Sequence, residues 1–201
     1  MTRRSSYRSL ASLQGDNRVC RACAEAGNPI ESLPVFEGHA GQKAYLFGLA
    51  PGIVEGGERR PWRGRAGRAL RRWLELDEEQ FYATFYCAAV TRCYPGKPSS
   101  GRGDRTTSPE ERRLCAFWQE WELRLLQPKL LVPVGGVAIK RLLRLNSLAC
   151  VGERIELDGA VAIPLPHPSG ASGWLNDATN RARLEQALEL LRSELGSTRL
   201  A

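Results

Sequence analysis

The chain has 201 residues, a formal net charge of +7, 42% hydrophobic residues and 25% charged residues. This length fits one domain, and the composition is typical of a soluble globular protein. No apolar run approaches the roughly 20 residues of a membrane span, and the basic N-terminus lacks the apolar segment of a secretory signal. We therefore expect a cytoplasmic, monomeric protein without membrane contact.

The predicted domain covers residues 18–195, with a flexible N-terminal tail at 1–17 and a C-terminal tail at 196–201. Its six cysteines are expected to be metal ligands or buried thiols, because disulfides are rare in a reducing compartment.

In chain order, the apolar run at 44–47 predicts a buried strand that ends in a glycine-rich loop at 48–64. A helix is predicted at 66–76, since Ala66, Leu70 and Leu74 share one of its faces. The segment 81–90 is dense in aromatic and small apolar residues, which is typical of a second buried strand.

In the second half, Ser108, Pro109 and Glu111 predict the start of a helix that reaches about Leu126. A strand at 130–134, a helix at 137–145, and a strand pair at 151–157 and 161–165 follow. A final amphipathic helix has Asp177 as its N-cap. The alternation of strands and helices predicts a single-domain α/β fold, a three-layer αβα arrangement with a mostly parallel central sheet.

Two unusual loops, 48–64 and 167–177, each follow a predicted strand. In a parallel sheet both project from the carboxyl edge, so we expect them to converge on one pocket. The glycine-rich loop matches neither G-x-G-x-x-G nor G-x-x-x-x-G-K-[ST], which argues against the common nucleotide sites.

Most of the 29 basic residues are arginine, and several of them cluster beside the glycine-rich loop. The cluster consists of Arg59, Arg60, Arg63, Arg65, Arg68, Arg71 and Arg72. We interpret it as a rim that binds a polyanion, because arginine forks suit phosphate oxygens. A solvated helix face is the alternative.

Four cysteines form a candidate ligand set, namely Cys20, Cys23, Cys93 and Cys115. An all-cysteine set suits Zn²⁺ or an iron–sulfur cluster, and scattered structural cysteines are the alternative. Cys87 and Cys150 lie in apolar surroundings and are expected to be buried thiols.

The ordered set of motifs resembles the iron–sulfur uracil-DNA glycosylases of families four and five. The run Gly48-x-Ala50-Pro51-Gly52, followed by Glu55 and by Arg60-Pro61-Trp62-x-Gly64-Arg65-Ala66-Gly67, is similar to their first motif. His167-Pro168-Ser169 is similar to their second motif. The stretches that carry the four cysteines resemble those that supply the cluster ligands.

The resemblance implies a DNA repair glycosylase that flips uracil or another deaminated base out of DNA and hydrolyses its N-glycosidic bond. A structural [4Fe–4S] cluster would be held by the four cysteines. His167 would donate a hydrogen bond to the base carbonyl, and Trp62 would stack on the base. The remaining base-pocket residues it implies are Gly48, Leu49, Ala50, Pro51, Gly52, Ala89 and Ser169.

The implied DNA contacts lie outside this pocket. Arg65, Arg68, Arg72 and Gly170 would contact the phosphate backbone. Trp174 and Leu175 would wedge into the gap left by the flipped nucleotide, as apolar side chains do elsewhere. Core packing of Trp174 is the alternative.

The sequence departs from the family-four pattern at two places. Leu49 stands where family four usually has a glutamate, and in this respect the sequence is closer to family five. Ala89 stands where family four has an asparagine that reads the uracil edge. Glu55, Glu58 and Asp177 are the candidates for a catalytic carboxylate, and Asn176 is the candidate for the missing amide.

These departures leave two further hypotheses open. The first is an inactive or weakly active DNA-binding module on the same fold. The second is a zinc-stabilised α/β protein with an unrelated nucleotide ligand.

Overall fold

A computed structural model describes residues 4–146, 148–169 and 173–198. Within these ranges the strands are β1 (Ala44–Gly48), β2 (Phe85–Ala89), β3 (Leu130–Pro133), β4 (Ile155–Leu157) and β5 (Ala160–Ala162). The helices are α1 (Leu10–Arg18), α2 (Ala22–Glu25), α3 (Ile53–Glu58), α4 (Arg65–Leu74), α5 (Glu78–Thr84), α6 (Pro109–Leu126), α7 (Gly136–Leu143) and α8 (Ala178–Thr198).

The five strands form one sheet in the order β2-β1-β3-β5-β4. β1 pairs in parallel with β2 and β3, β3 pairs in parallel with β5, and β4 is antiparallel to β5. Every residue of β1, β2 and β3 is buried, as expected for strands covered on both faces. The predicted mostly parallel sheet is therefore confirmed.

Two apolar cores lie on opposite faces of the sheet. The alternation of side chains along β1 places Leu46 in one core and Tyr45 in the other. Helices α4, α5 and α8 cover the first core, and α1, α6 and α7 cover the second. This is the predicted three-layer arrangement. None of the described helices is both long and apolar enough to cross a membrane.

The flexible tail predicted at 1–17 is wrong over most of its length. The Ser9 hydroxyl accepts a hydrogen bond from the Ser12 N–H at 3.3 Å and so caps α1. Leu10 and Leu13 are then buried in the core beneath α6. At the other end α8 continues through residue 198, so the predicted C-terminal tail begins at least three residues too early.

The strand predicted at 81–90 is half wrong, because α5 occupies its first four residues. The Asp77 carboxylate accepts a hydrogen bond from the Gln80 N–H at 2.8 Å, and the Gln80 side chain accepts one from the Asp77 N–H at 3.0 Å. This reciprocal cap starts a helix at 78. The equivalent cap predicted at Ser108 and Glu111 is confirmed, at 3.1 and 2.6 Å.

Candidate active site

A cavity of about 550 Å³ opens at the carboxyl edge of the sheet. The glycine-rich loop after β1 and the loop that begins at His167 converge there, as predicted. Most of the predicted base-pocket residues line it: Gly48, Leu49, Ala50, Pro51, Gly52, Trp62, Ala89, His167 and Ser169.

The Glu55 carboxylate holds the glycine-rich loop in shape. One oxygen accepts a hydrogen bond from the Gly52 N–H at 3.1 Å, and the other accepts one from the Gly64 N–H at 2.8 Å. These charge-assisted bonds join the two ends of the segment that contains α3. Glu55 also lines the cavity, so this predicted catalytic residue has a clear structural role.

Trp62 forms one wall of the cavity and is 9% exposed. Its φ of 60° is an outlier for a bulky side chain. Two contacts fix this conformation. The Trp62 carbonyl accepts a hydrogen bond from the Arg71 guanidinium at 2.9 Å. The Trp62 indole ring packs against Gly48, and a Cβ at position 48 would lie only 3.0 Å from the ring.

The hydrogen bonds of His167 fix which ring nitrogen carries the proton. Nδ1 lies 3.3 Å from the backbone N–H of Ser169 and 2.8 Å from its hydroxyl. Since a backbone N–H can only donate, Nδ1 is an acceptor and the proton of the neutral ring is on Nε2. Burial lowers the pKa of His167, and the charge of Glu55 partly opposes this effect. The ring is therefore a neutral hydrogen-bond donor near pH 7.

The other two predicted carboxylates lie away from the lining. Glu58 forms an ion pair with Arg63 at 2.7 Å, and Asp177 accepts a hydrogen bond from the Asn180 N–H at 3.1 Å at the start of α8. A carboxylate that the sequence did not reveal, Asp104, lines the cavity instead. One of its oxygens lies 3.1 Å from the point where a Cβ on Gly52 would stand.

The amide that the family places on β2 has no replacement here. Ala89 presents a methyl group to the cavity, and no asparagine or glutamine occurs among the described residues that line it. Asn176, the predicted substitute, lies in a 3₁₀ turn at 174–176 and is not part of the lining. The prediction that Asn176 replaces the amide therefore lacks support in this conformation.

The predicted wedge residues are half-buried. Trp174 and Leu175 pack against the apolar core formed with α8, which is the alternative that the sequence left open for Trp174. Gly170 lies outside the described residues. Ile53 and Val54, which the sequence analysis did not single out, line the cavity and are 53% and 41% exposed.

The arginines near the loop fall into two groups. One group pairs with glutamates: Arg60 with Glu37 and Glu78, Arg63 with Glu58 and Glu78, and Arg71 with Glu78. The other group lies exposed on α4 and forms no ion pair with a described residue: Arg65, Arg68 and Arg72. Arg65 and Arg68 also line the cavity. The predicted basic rim is therefore restricted to the second group and Arg59, which is also exposed.

All four predicted ligand cysteines line a second cavity, of about 300 Å³. None of the six cysteines forms a disulfide. Burial raises the pKa of Cys93, and the neighbouring Cys115, Cys23 and Cys20 raise it further. The four cysteines therefore share one cavity, as the predicted ligand set requires. Among the described residues, no three His, Cys, Asp or Glu side chains are arranged to hold a metal ion.

The sheet and the two cavities define an α/β protein with one cavity at the carboxyl edge of the sheet and a second cavity lined by four cysteines. Residues 36–192 match the family described as the uracil DNA glycosylase superfamily. The chain belongs to this superfamily, whose members are DNA glycosylases. The resemblance, fold class and enzyme class predicted from the sequence are thus confirmed.

Two curated relatives support this assignment. The chain is 27% identical to the type-4 uracil-DNA glycosylase of Thermotoga maritima over 156 residues, which cover 76% of the chain and 77% of the relative. It is 34% identical to the type-5 uracil-DNA glycosylase of Thermus thermophilus over 142 residues, which cover 62% of the chain and 61% of the relative.

The contact between Gly67 and Trp62 yields a prediction. A Cβ on Gly67 would lie 1.7 Å from the Trp62 carbonyl oxygen, so Gly67→Ala must displace the cavity wall. We expect it to lower the free energy of unfolding by about 1–3 kcal/mol, measured by chemical denaturation. Gly57→Ala is the control, because nothing lies within 4 Å of its Cβ position. Equal stability of both variants would contradict the steric argument.

Proposed function

We propose that this protein excises uracil or another deaminated base from DNA by hydrolysis of the N-glycosidic bond. The observation that carries the proposal is the convergence of the glycine-rich loop, Trp62 and His167 on one cavity. The names of the two relatives, both uracil-DNA glycosylases, support the same reaction.

The cavity suits a base that has been turned out of the duplex. A flipped base needs a flat apolar surface for stacking and polar groups at its edge. The Trp62 ring supplies the surface. The glycines at 48 and 52 let the backbone approach the base and its sugar phosphate closely.

His167 provides stabilisation of the leaving base. Cleavage leaves the bonding electron pair on the base and positive charge on the sugar. The Nε2–H of His167 donates to the base carbonyl oxygen and so stabilises the developing anion, and Ser169 fixes the ring beforehand. A single preorganised donor of this kind contributes roughly 3 kcal/mol to lowering the barrier.

A carboxylate completes the reaction on the sugar side. Glu55 already accepts two backbone hydrogen bonds, and Asp104 is the other carboxylate that lines the cavity. We assign Asp104 to holding the water whose oxygen bonds to the sugar C1′ and to taking the proton that this water loses. Glu55 adds negative charge near the cationic sugar.

Two residues that family four uses in its base pocket, a glutamate and an asparagine, are replaced here, so the preferred damaged base differs from that of family four. With Leu49 and Ala89 at these positions, the cavity offers apolar contacts and backbone groups to the edge of the base. This favours a pocket that also accepts other deaminated bases. The same observation supports a second candidate, a damaged-DNA-binding module without catalysis.

We also propose that the four cysteines hold a structural [4Fe–4S] cluster. Soft thiolates suit both zinc and iron–sulfur clusters. The four cysteines line one cavity of about 300 Å³, and the type-4 and type-5 names of the two relatives are compatible with an iron–sulfur cluster. Such a cluster would connect α2, the segment after β2 and α6.

The first test is a panel of DNA oligonucleotides that each carry one uracil, hypoxanthine or xanthine. We expect abasic sites from at least one lesion, detected as strand breaks after alkali, in single- or double-stranded DNA. An unmodified duplex is the control. Lesion-selective binding without any abasic product would overturn the glycosylase and favour the binding module.

His167→Ala should slow base release by about 10²–10³-fold, because it removes the preorganised donor. His39→Ala is the matched control, since His39 is exposed and lies elsewhere. Equal rates for the two variants would remove His167 from the mechanism.

The wild-type rate, measured in single turnovers, should stay constant down to pH 6.5 and fall only below it. Burial lowers the pKa of His167 beneath its ordinary value of about 6.5. Protonation at lower pH would place a proton on Nδ1, which could then no longer accept the hydrogen bond from the Ser169 N–H.

Asp104→Asn should slow base release by about 10²-fold if the carboxylate takes the proton of the attacking water. Glu58→Gln should leave the rate unchanged, because Glu58 is paired with Arg63 outside the cavity lining. Both are measured in single turnovers with the best lesion of the panel. A wild-type rate for Asp104→Asn would disprove its role.

Arg68→Ala and Arg72→Ala should each weaken DNA binding and reduce the salt dependence of log K by about 1, as expected for one lost phosphate contact. Arg124→Ala removes the same charge from an exposed site in the last turn of α6 and is the control. Fluorescence anisotropy at several salt concentrations measures the effect. Identical slopes for all three variants would show that Arg68 and Arg72 form a solvated helix face and do not contact DNA.

A further inference from the structure

Two buried polar side chains of the cysteine cavity lack partners. Asn17 is 0% exposed and Arg92 is 1% exposed, and both line the cavity. Both amide atoms of Asn17, together with Nε and Nη1 of Arg92, have no hydrogen-bond partner within the part of the chain that the structure describes. A buried polar group without a partner destabilises the fold, so these atoms point to a ligand inside the cavity.

The rest of the Arg92 guanidinium is firmly held. Its Nη2 donates to a Glu122 oxygen at 2.5 Å, and the Tyr45 hydroxyl donates to the same oxygen at 2.6 Å. The backbone N–H of Arg92 already donates to the Cys115 sulfur at 3.3 Å. Arg92 is therefore fixed beside Cys115, a proposed cluster ligand, and it lines the cavity.

Three of the four unpartnered atoms are N–H donors, two of which belong to a cation, and the fourth, Asn17 Oδ1, is an acceptor. The three donors favour an anionic ligand with several acceptor atoms. A cluster held by four thiolates carries net negative charge and presents sulfur acceptors, and hydrogen bonds to these sulfurs tune its reduction potential.

We propose that Asn17 and Arg92 donate N–H···S hydrogen bonds to the cluster and raise its reduction potential. The inference rests on the proposed [4Fe–4S] cluster. It also gives α1 a function, because this helix carries Asn17 into the cavity three residues before the first ligand, Cys20.

The direction of the effect follows from charge. Reduction adds an electron to a group that is already negative, and N–H donors or a nearby cation stabilise the added charge. Removing them must shift the midpoint potential to a more negative value. A residue with only a packing role would not produce this shift.

The experiment compares the midpoint potentials of the purified, full-length protein and its variants by EPR-monitored redox titration, with iron and acid-labile sulfide measured for each. Asn17→Leu removes the amide while it keeps the branched shape of the side chain. Arg92→Lys keeps a cation for Glu122 but removes the guanidinium donors. Thr107→Val is the control, because Thr107 also has a buried, unpartnered hydroxyl but does not line the cavity.

We expect iron and sulfide in all four proteins, a wild-type potential for Thr107→Val, and more negative potentials for Asn17→Leu and Arg92→Lys. A cluster whose potential is the same in every variant would overturn the inference while leaving the cluster intact. A wild-type protein without iron and sulfide would overturn the cluster proposal itself, and this inference with it. If Arg92→Lys does not fold, Asn17→Leu alone decides the outcome.

Discussion

The shape of the candidate active site depends on one carboxylate. Glu55 joins the N–H groups of Gly52 and Gly64, and so closes the loop that carries the cavity wall. Without it, two backbone donors would lose their partners, at about 1–3 kcal/mol for each one left buried. Trp62, with its outlying backbone, lies inside this closed segment, shortly before Gly64 at the N-terminus of α4.

The candidate active site and the cysteine cavity are connected by one segment, which follows β2. The N–H groups of Val90 and Thr91 donate to the carbonyls of Gly48 and Leu49, at 2.9 and 3.0 Å, and so tie this segment to the glycine-rich loop. The next two residues, Arg92 and Cys93, line the cysteine cavity. A group bound in the cysteine cavity would therefore fix the position of the loop that lines the candidate active site, which is a physical reason for a purely structural group there.

The features that were predicted correctly are those that depend on local sequence patterns. The buried run at 44–47, the helix cap at Ser108 and the motif order were sufficient for the sheet, α6 and the main cavity lining. Helix α5 was missed although Asp77 and Gln80 carry a capping signal, because the aromatic density of 81–90 suggested a strand. Asp104 could not be found this way, since an aspartate in a polar loop has no local signal and reaches the cavity only through tertiary folding.

A crystal structure with DNA that carries 2′-fluoro-2′-deoxyuridine, a nucleotide whose glycosidic bond resists cleavage, would show whether the cavity lined by Trp62 and His167 binds an everted base. We expect the uracil to stack on the Trp62 ring, with a carbonyl oxygen within hydrogen-bonding distance of His167 Nε2. DNA bound at another surface, or a base that remains stacked in the helix while the cavity stays open to solvent, would contradict this expectation.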